Sequence, residues 1–186
     1  VRIFIFFHDC THGSFFASRT ANRILGYITG ILTFTAYEEW RHSHAIHHAT
    51  AGDLDRRGMG DVWTLTVDEY RDAPQKKRRG YRLVRNPWVM FGLGPVFMFV
   101  VAHRFPNKNA RPQERRSVLY TNLALLAIVI IASLTIGFWT YVKIQLPVIA
   151  LGGLMGMWLF YVQHQFETVY WAHHDDWDPI QVGLSG

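Results

Sequence analysis

Ten histidines are spread unevenly along the 186-residue sequence, and their spacing is the first sign of chemistry. His8 and His12 bracket Asp9-Cys10-Thr11 at the end of an apolar run. Residues four apart share one helical face, so both imidazoles can reach a single metal ion. His44, His47 and His48 form a His-X-X-His-His box with i, i+3, i+4 spacing, again on one face. His42 lies two residues upstream of His44 and points elsewhere if the helix is continuous. His164 stands at the end of the last long apolar run, and His173 and His174 follow in a polar stretch. A lone histidine at a membrane interface is more often a hydrogen-bonding residue than a ligand, and His103 is read that way.

Neutral imidazole suits zinc, copper, iron and nickel. A structural zinc site commonly draws on cysteine, and Cys10 is the only one. Five boxed histidines exceed the three protein ligands of a catalytic zinc, and the surplus argues for two metal ions. The boxes abut apolar runs, which makes a lipid chain the natural substrate. Attack on an unactivated C–H bond needs a redox metal that activates oxygen, and non-haem iron is the economical choice. Carboxylates that accept the second N–H of a ligating imidazole fix its orientation. Asp9, Asp53, Asp55 and Glu167 are close enough in sequence to serve, or to be solvated acids and helix caps. No haem attachment motif or dinucleotide fingerprint is present, so electrons must come from a separate protein.

The elements that would position these residues are membrane helices. Hydrophobic residues make up 49% and aromatics 15%, against 18% charged, with a net charge of +5. A spanning helix needs about 20 apolar residues. Residues 118–142 carry no Asp, Glu, Lys or Arg, and after Lys143 neither do residues 144–166. These are read as two transmembrane helices joined by a turn at Lys143-Ile144-Gln145. The runs 24–37 and 86–103 are shorter, and the second contains Pro87, Gly92, Gly94 and Pro95. Both are expected to be re-entrant or interfacial helices. Gly152 and Gly156 form a small-residue pair suited to close helix packing. The fold class is therefore all-α, an integral membrane helical bundle with its histidines on one face. Lysines and arginines crowd residues 71–85 and 104–116. Such residues collect on the cytoplasmic side, which places the polar segments and the histidines in the cytoplasm. With one cysteine no internal disulfide framework is possible. The chain reads as a single domain truncated at both ends.

Longer stretches carry a resemblance. His8-Asp9-Cys10-Thr11-His12-Gly13-Ser14-Phe15-Phe16 resembles the first histidine box of the bacterial branch of membrane fatty acid desaturases, closest to the acyl-lipid delta-12 (omega-6) type. Trp40-Arg41-His42-Ser43-His44-Ala45-Ile46-His47-His48-Ala49-Thr50, followed by residues 52–58, looks like the second box and its downstream loop. Gln163-His164-Gln165-Phe166-Glu167 with Tyr170-Trp171 is similar to the segment the family carries between its second and third boxes. The resemblance covers essentially the whole chain, in order.

It implies an inner-membrane enzyme with two iron ions, using O2 and two electrons from a ferredoxin or cytochrome donor to place a double bond in a lipid acyl chain. By carry-over, His8, His12, His44, His47 and His48 are iron ligands, with His164 as the additional ligand on the late transmembrane helix. A third His-X-X-His-His box is expected beyond Gly186. The lipid bilayer, an acyl-lipid and the electron donor are the expected partners; no nucleic acid is. Two rival readings are a lipid, alkane or carotenoid hydroxylase of the same superfamily, and a histidine-rich zinc-binding membrane transporter. Transporters place ionisable residues within their spans, and residues 118–142 have none.

Overall fold

The computed structural model describes residues 1–185, and no named strand occurs among them. Nine α-helices follow in order: α1 Arg2–His12, α2 Arg19–Leu32, α3 Tyr37–Thr50, α4 Val67–Asp72, α5 Gln75–Val84, α6 Gly94–Val100, α7 Pro112–Thr135, α8 Phe138–His164 and α9 Pro179–Ser185. The chain divides into two compact units. One comprises Val1–His42 with Pro95–Met155, the other Ser43–Gly94 with the residues from Gly156 on.

In the first unit α1 and α2 form an antiparallel hairpin that holds the first histidine box. Gly13 ends α1 in the left-handed conformation at φ 70°, where glycine pays no Cβ penalty. The Asn22 amide then staples the connecting loop. It donates to the carbonyls of Gly13, Phe16 and Ser18 and accepts from Phe16 N–H, and it is buried. Ser18 caps α2 by accepting from Ala21 N–H. Gly26 and Gly30 form a flat strip on α2. A Cβ at Gly26 would lie 2.2 Å from the Tyr37 ring, and one at Gly30 would lie 3.0 Å from Phe7. Phe7, Cys10 and Tyr37 fill the core beneath, with Phe4, Leu25, Tyr27 and Trp40 around them. The Tyr37 hydroxyl donates to Cys10 carbonyl, which ties the start of α3 to the turn bearing His8 and His12.

The N-terminus of α3 is anchored from α7, where Ser117 Oγ accepts Glu38 N–H at 3.1 Å. Buried Glu38 pairs with Arg23 at 2.9 Å and Arg41 at 3.5 Å. Between α2 and α3 the chain reverses through Phe34 at φ 58°, whose carbonyl accepts from Arg104. The run 24–37 is thus divided between two helices. α2 has 14 residues, about 21 Å of helix, too short to cross a bilayer upright.

Among the described residues, α7 and α8 are the two helices long and apolar enough to cross a membrane. Their outer surfaces are hydrocarbon: Leu134 is 82% exposed, and Ile131, Leu151 and Trp139 are also exposed. The turn between them differs from expectation. It falls at Ile136-Gly137, where both amides return to Ala132 carbonyl and Gly137 adopts φ 87°. Lys143 lies inside α8, exposed. A charge marks where a run of sequence is interrupted, but a long lysine near a helix end extends its ammonium to water without breaking the helix. The glycine that makes the turn is apolar and left no mark in hydropathy. Close packing on α8 also sits one residue from the expected pair. A Cβ at Gly153 would lie 2.8 Å from Pro95, whereas Gly152 and Gly156 have no heavy atom that near. One residue is a 100° rotation of the helix face.

The run 86–103 begins in the second unit, beyond Asn86-Pro87, as a π-turn, Trp88–Leu93, and continues as α6, whose residues from Pro95 on belong to the first. By length and composition the segment counts as a further span only if joined to α5 across a sharp bend. Thr66 and Glu69 form a reciprocal capping box on α4. Arg85 binds Trp63 carbonyl, Thr64 Oγ1 and Gln165 Oε1, so the end of α5 grips the end of α8. Leu54 N–H donates to Ala172 carbonyl and Ala172 N–H to Gly52 carbonyl, a single parallel bridge. Asp53, wholly buried, is the centre of this junction. It accepts from the backbone amides of Asp55 and Arg56, from Arg56 Nε and from His174 Nδ1.

Candidate metal centre

In the first unit His8 and His12 occupy the last turn of α1 with their Nε2 atoms 3.2 Å apart. His8 Nδ1 lies 3.1 Å from Asp9 Oδ1. A carboxylate only accepts, so the proton is on Nδ1 and the His8 Nε2 lone pair faces His12. Burial, together with neighbouring His8, holds the His12 pKa below its ordinary value against the opposing pull of Asp9. The ring is therefore neutral near pH 7, the form that binds metal.

In the second unit α3 presents His44 and His48 with Nε2 atoms 3.1 Å apart. His47, one turn of helix from His44 and on the same side, meets His164 at the end of α8, Nε2 to Nε2, at 3.0 Å. His164 Nδ1 donates to Phe160 carbonyl at 2.9 Å, and the Phe160 ring stacks on it at 4.3 Å. His47 Nδ1 lies 2.7 Å from Asp61 Oδ1. His8, His12, His44 and His48 are all side chains with a ring nitrogen able to serve as a metal ligand.

These distances test the donor set against a transition metal. With metal–nitrogen bonds of about 2.1 Å, a tetrahedral angle separates two ligand nitrogens by about 3.4 Å, and an angle of about 90–100° separates them by about 3.0–3.2 Å. All three pairs fall in the second range. The imidazole-rich, thiolate-free donor set fits non-haem iron.

The structure thus pairs His8 with His12, His44 with His48, and His47 with His164. The remaining histidines do other things. His173 Nδ1 faces Asp55 and His174 Nδ1 faces Asp53, so both belong to the junction after α8. His103 sits by Thr35 and Phe99. His42 lies close enough to Glu114 to stabilise its charge. Of the four carboxylates singled out in the sequence, Asp9 meets His8, whereas Asp53 and Asp55 meet histidines outside the boxes and Glu167 is exposed. Asp61 was not anticipated. Its one sequence signal is the Gly58-Met59-Gly60-Asp61 turn, whose glycines at φ 124° and 80° reverse the chain beneath α3.

The family pattern described as "Fatty acid desaturase" matches residues 1–185. The chain belongs to the fatty acid desaturase family. It is 46% identical to the fatty acid desaturase of Bacillus subtilis, with all of the chain aligned to 53% of that protein. It is 28% identical to the sn-1 acyl-lipid omega-3 desaturase (ferredoxin) of a Synechocystis species, covering 98% of the chain and 52% of the relative. The omega-3 fatty acid desaturase fat-1 of Caenorhabditis elegans is also 28% identical, over 96% of the chain and 45% of its own length. No solved structure matches this desaturase-family chain. It spans about half the length of the curated relatives it matches.

Proposed function

We propose that the protein of which this chain forms part is an oxygen-dependent acyl-lipid desaturase of the membrane. His8, His12, His44, His47, His48 and His164 supply imidazoles to a di-iron centre. The observation that carries this reading is the set of three Nε2 pairs at 3.0–3.2 Å. Two bound irons would supply oxygen activation, with removal of one hydrogen from each of two adjacent methylenes. The overall change balances with one O2, two donor electrons and two protons giving one double bond and two waters.

The chain's own residues set the conditions. Asp9 and the Phe160 carbonyl fix which ring nitrogens carry protons at His8 and His164. The Phe160 ring covers His164 on one side and restricts water there. The exposed apolar surfaces of α7 and α8 support contact with a bilayer, where acyl chains are at hand. Lys76, Lys77, Arg79 and Arg82 are exposed on α5, and the positive-inside bias supports a cytoplasmic position for that helix. A ferredoxin-type donor is supported by the Synechocystis relative, whose name includes one.

The test is expression of the full-length protein in a host lacking polyunsaturated lipids, with chain analysis of its membranes and metal analysis of the purified protein. New double bonds and about two irons per chain are expected, following the donor count. Hydroxylated or unchanged lipids overturn the desaturase assignment, and stoichiometric zinc overturns the metal assignment.

A further inference from the structure

The His47–His164 contact presents a problem that only a third residue solves. Two neutral imidazoles with facing Nε2 atoms at 3.0 Å can satisfy each other if one carries a proton there and donates it to the other. In that closed state neither nitrogen is open to a metal ion. His164 does not supply the proton, because its Nδ1 donates to the Phe160 carbonyl, an acceptor only. Whether the pair closes therefore depends on His47 alone.

We infer that Asp61 is a positioning residue that keeps the His47 proton on Nδ1 and so holds the His47–His164 pair open. The inference rests on the metal reading above but adds a residue that the histidine boxes do not include. Asp61 Oδ1 stands 2.7 Å from His47 Nδ1, and Oδ2 accepts Gly58 N–H at 2.9 Å. Each carboxylate oxygen thus faces an N–H, a demand that no amide side chain meets. The contact is sheltered: His47 is 2% exposed and Asp61 9%. The loop is shaped for it. Gly60 passes beneath α3 at φ 80°, where a Cβ would lie 3.0 Å from His47 Cβ. Any side chain there would push the carboxylate away from the ring.

Asp61→Asn is the discriminating substitution, because it preserves shape and removes one acceptor. With the amide oxygen taken by Gly58 N–H, the NH2 group faces His47 Nδ1 and forces the proton to Nε2. In a serine-protease triad the same exchange leaves geometry intact and traps the wrong tautomer. The experiment uses full-length protein labelled with 15N-histidine, stripped of metal for imidazole NMR and reloaded with ferrous iron for chelator competition. Expected are an Nδ1–H tautomer at His47 in the wild type, an Nε2–H tautomer in Asp61→Asn, and about 10–100-fold weaker iron retention in the variant. Asp61→Ala should show the same change, and formate should reverse it by refilling the acceptor position. An unchanged tautomer in both variants overturns the inference, as does a tautomer switch with undiminished iron retention. Wild-type protein that retains no iron while the tautomer still switches overturns the metal reading and leaves the role of Asp61 in fixing the tautomer standing.

Discussion

A ring nitrogen holds a proton or a metal ion, never both, so the partners of the Nδ1 atoms govern what the Nε2 atoms can do. At His8 and His164 those partners are a neighbouring carboxylate and a backbone carbonyl within the same helix. If His164 binds iron as proposed, His164→Ala should reduce iron retention by more than the about 100-fold typical of removing an outer partner. His103→Phe should leave iron retention unchanged, since His103 lies with Thr35 and Phe99. Iron content of the two purified full-length variants distinguishes them. The boxes were legible because helical periodicity brings residues three and four apart together. The pairing of His47 with His164 joins residues 117 apart, and Asp61 meets His47 across a loop of irregular backbone. Local spacing carries no record of either.

At the scale of elements, close approaches and junctions set where the imidazoles lie. The glycines of α2 admit Tyr37 and Phe7, and Asn22 fixes the loop that follows the first box. After the second box, the Asp53 junction ties residues 51–57 to residues 172–177, with Trp177 Nε1 donating to Ala51 carbonyl and Arg56 lying over the Trp177 ring. Burial raises the Asp53 pKa, but Arg56, the Asp55 amide and His174 outweigh it and hold it down to about 2. An unfolded aspartate titrates near about 3.9. A depressed carboxylate contributes stability that is full above the unfolded value and lost as pH falls through the folded one. Amide exchange of both segments should therefore stay slow down to about pH 4 and accelerate, relative to the intrinsic rate, as pH approaches 2. Asp53→Asn should exchange rapidly already at neutral pH. Equal protection in variant and wild type would show that the carboxylate does not hold the junction. The sequence made Asp53 visible only as one of several acids near a histidine box; its buried cluster of donors depends on a segment some 120 residues away.

For the whole molecule, hydropathy marked the two apolar helices and the two short runs that precede them, because burial in lipid demands long uninterrupted hydrocarbon. It misplaced the turn, since Gly137 acts through backbone conformation and carries no polarity. The positive-inside reading makes a further prediction about sidedness. Single cysteines placed at Lys76 and at Ile136 in the full-length protein should react with an impermeant maleimide from opposite sides of the membrane, Ile136→Cys in intact cells and Lys76→Cys only after permeabilisation. Native Cys10 is buried, and the protein without the added cysteines, labelled in parallel, sets the background. Labelling of both positions from the same side would reject the proposed orientation. One contact also has a bearing on assembly. His47 and His164 close a loop of 117 residues, for which chain entropy charges about 4 kcal/mol. The His47–His164 contact cannot form until α8 has been synthesised, so the second box waits incomplete while the intervening residues emerge. An ion gripped by both rings, as proposed, would act as a late-fitted rivet, reinforcing segments that the Leu54–Ala172 backbone bridge and the Asp53–His174 contact already join.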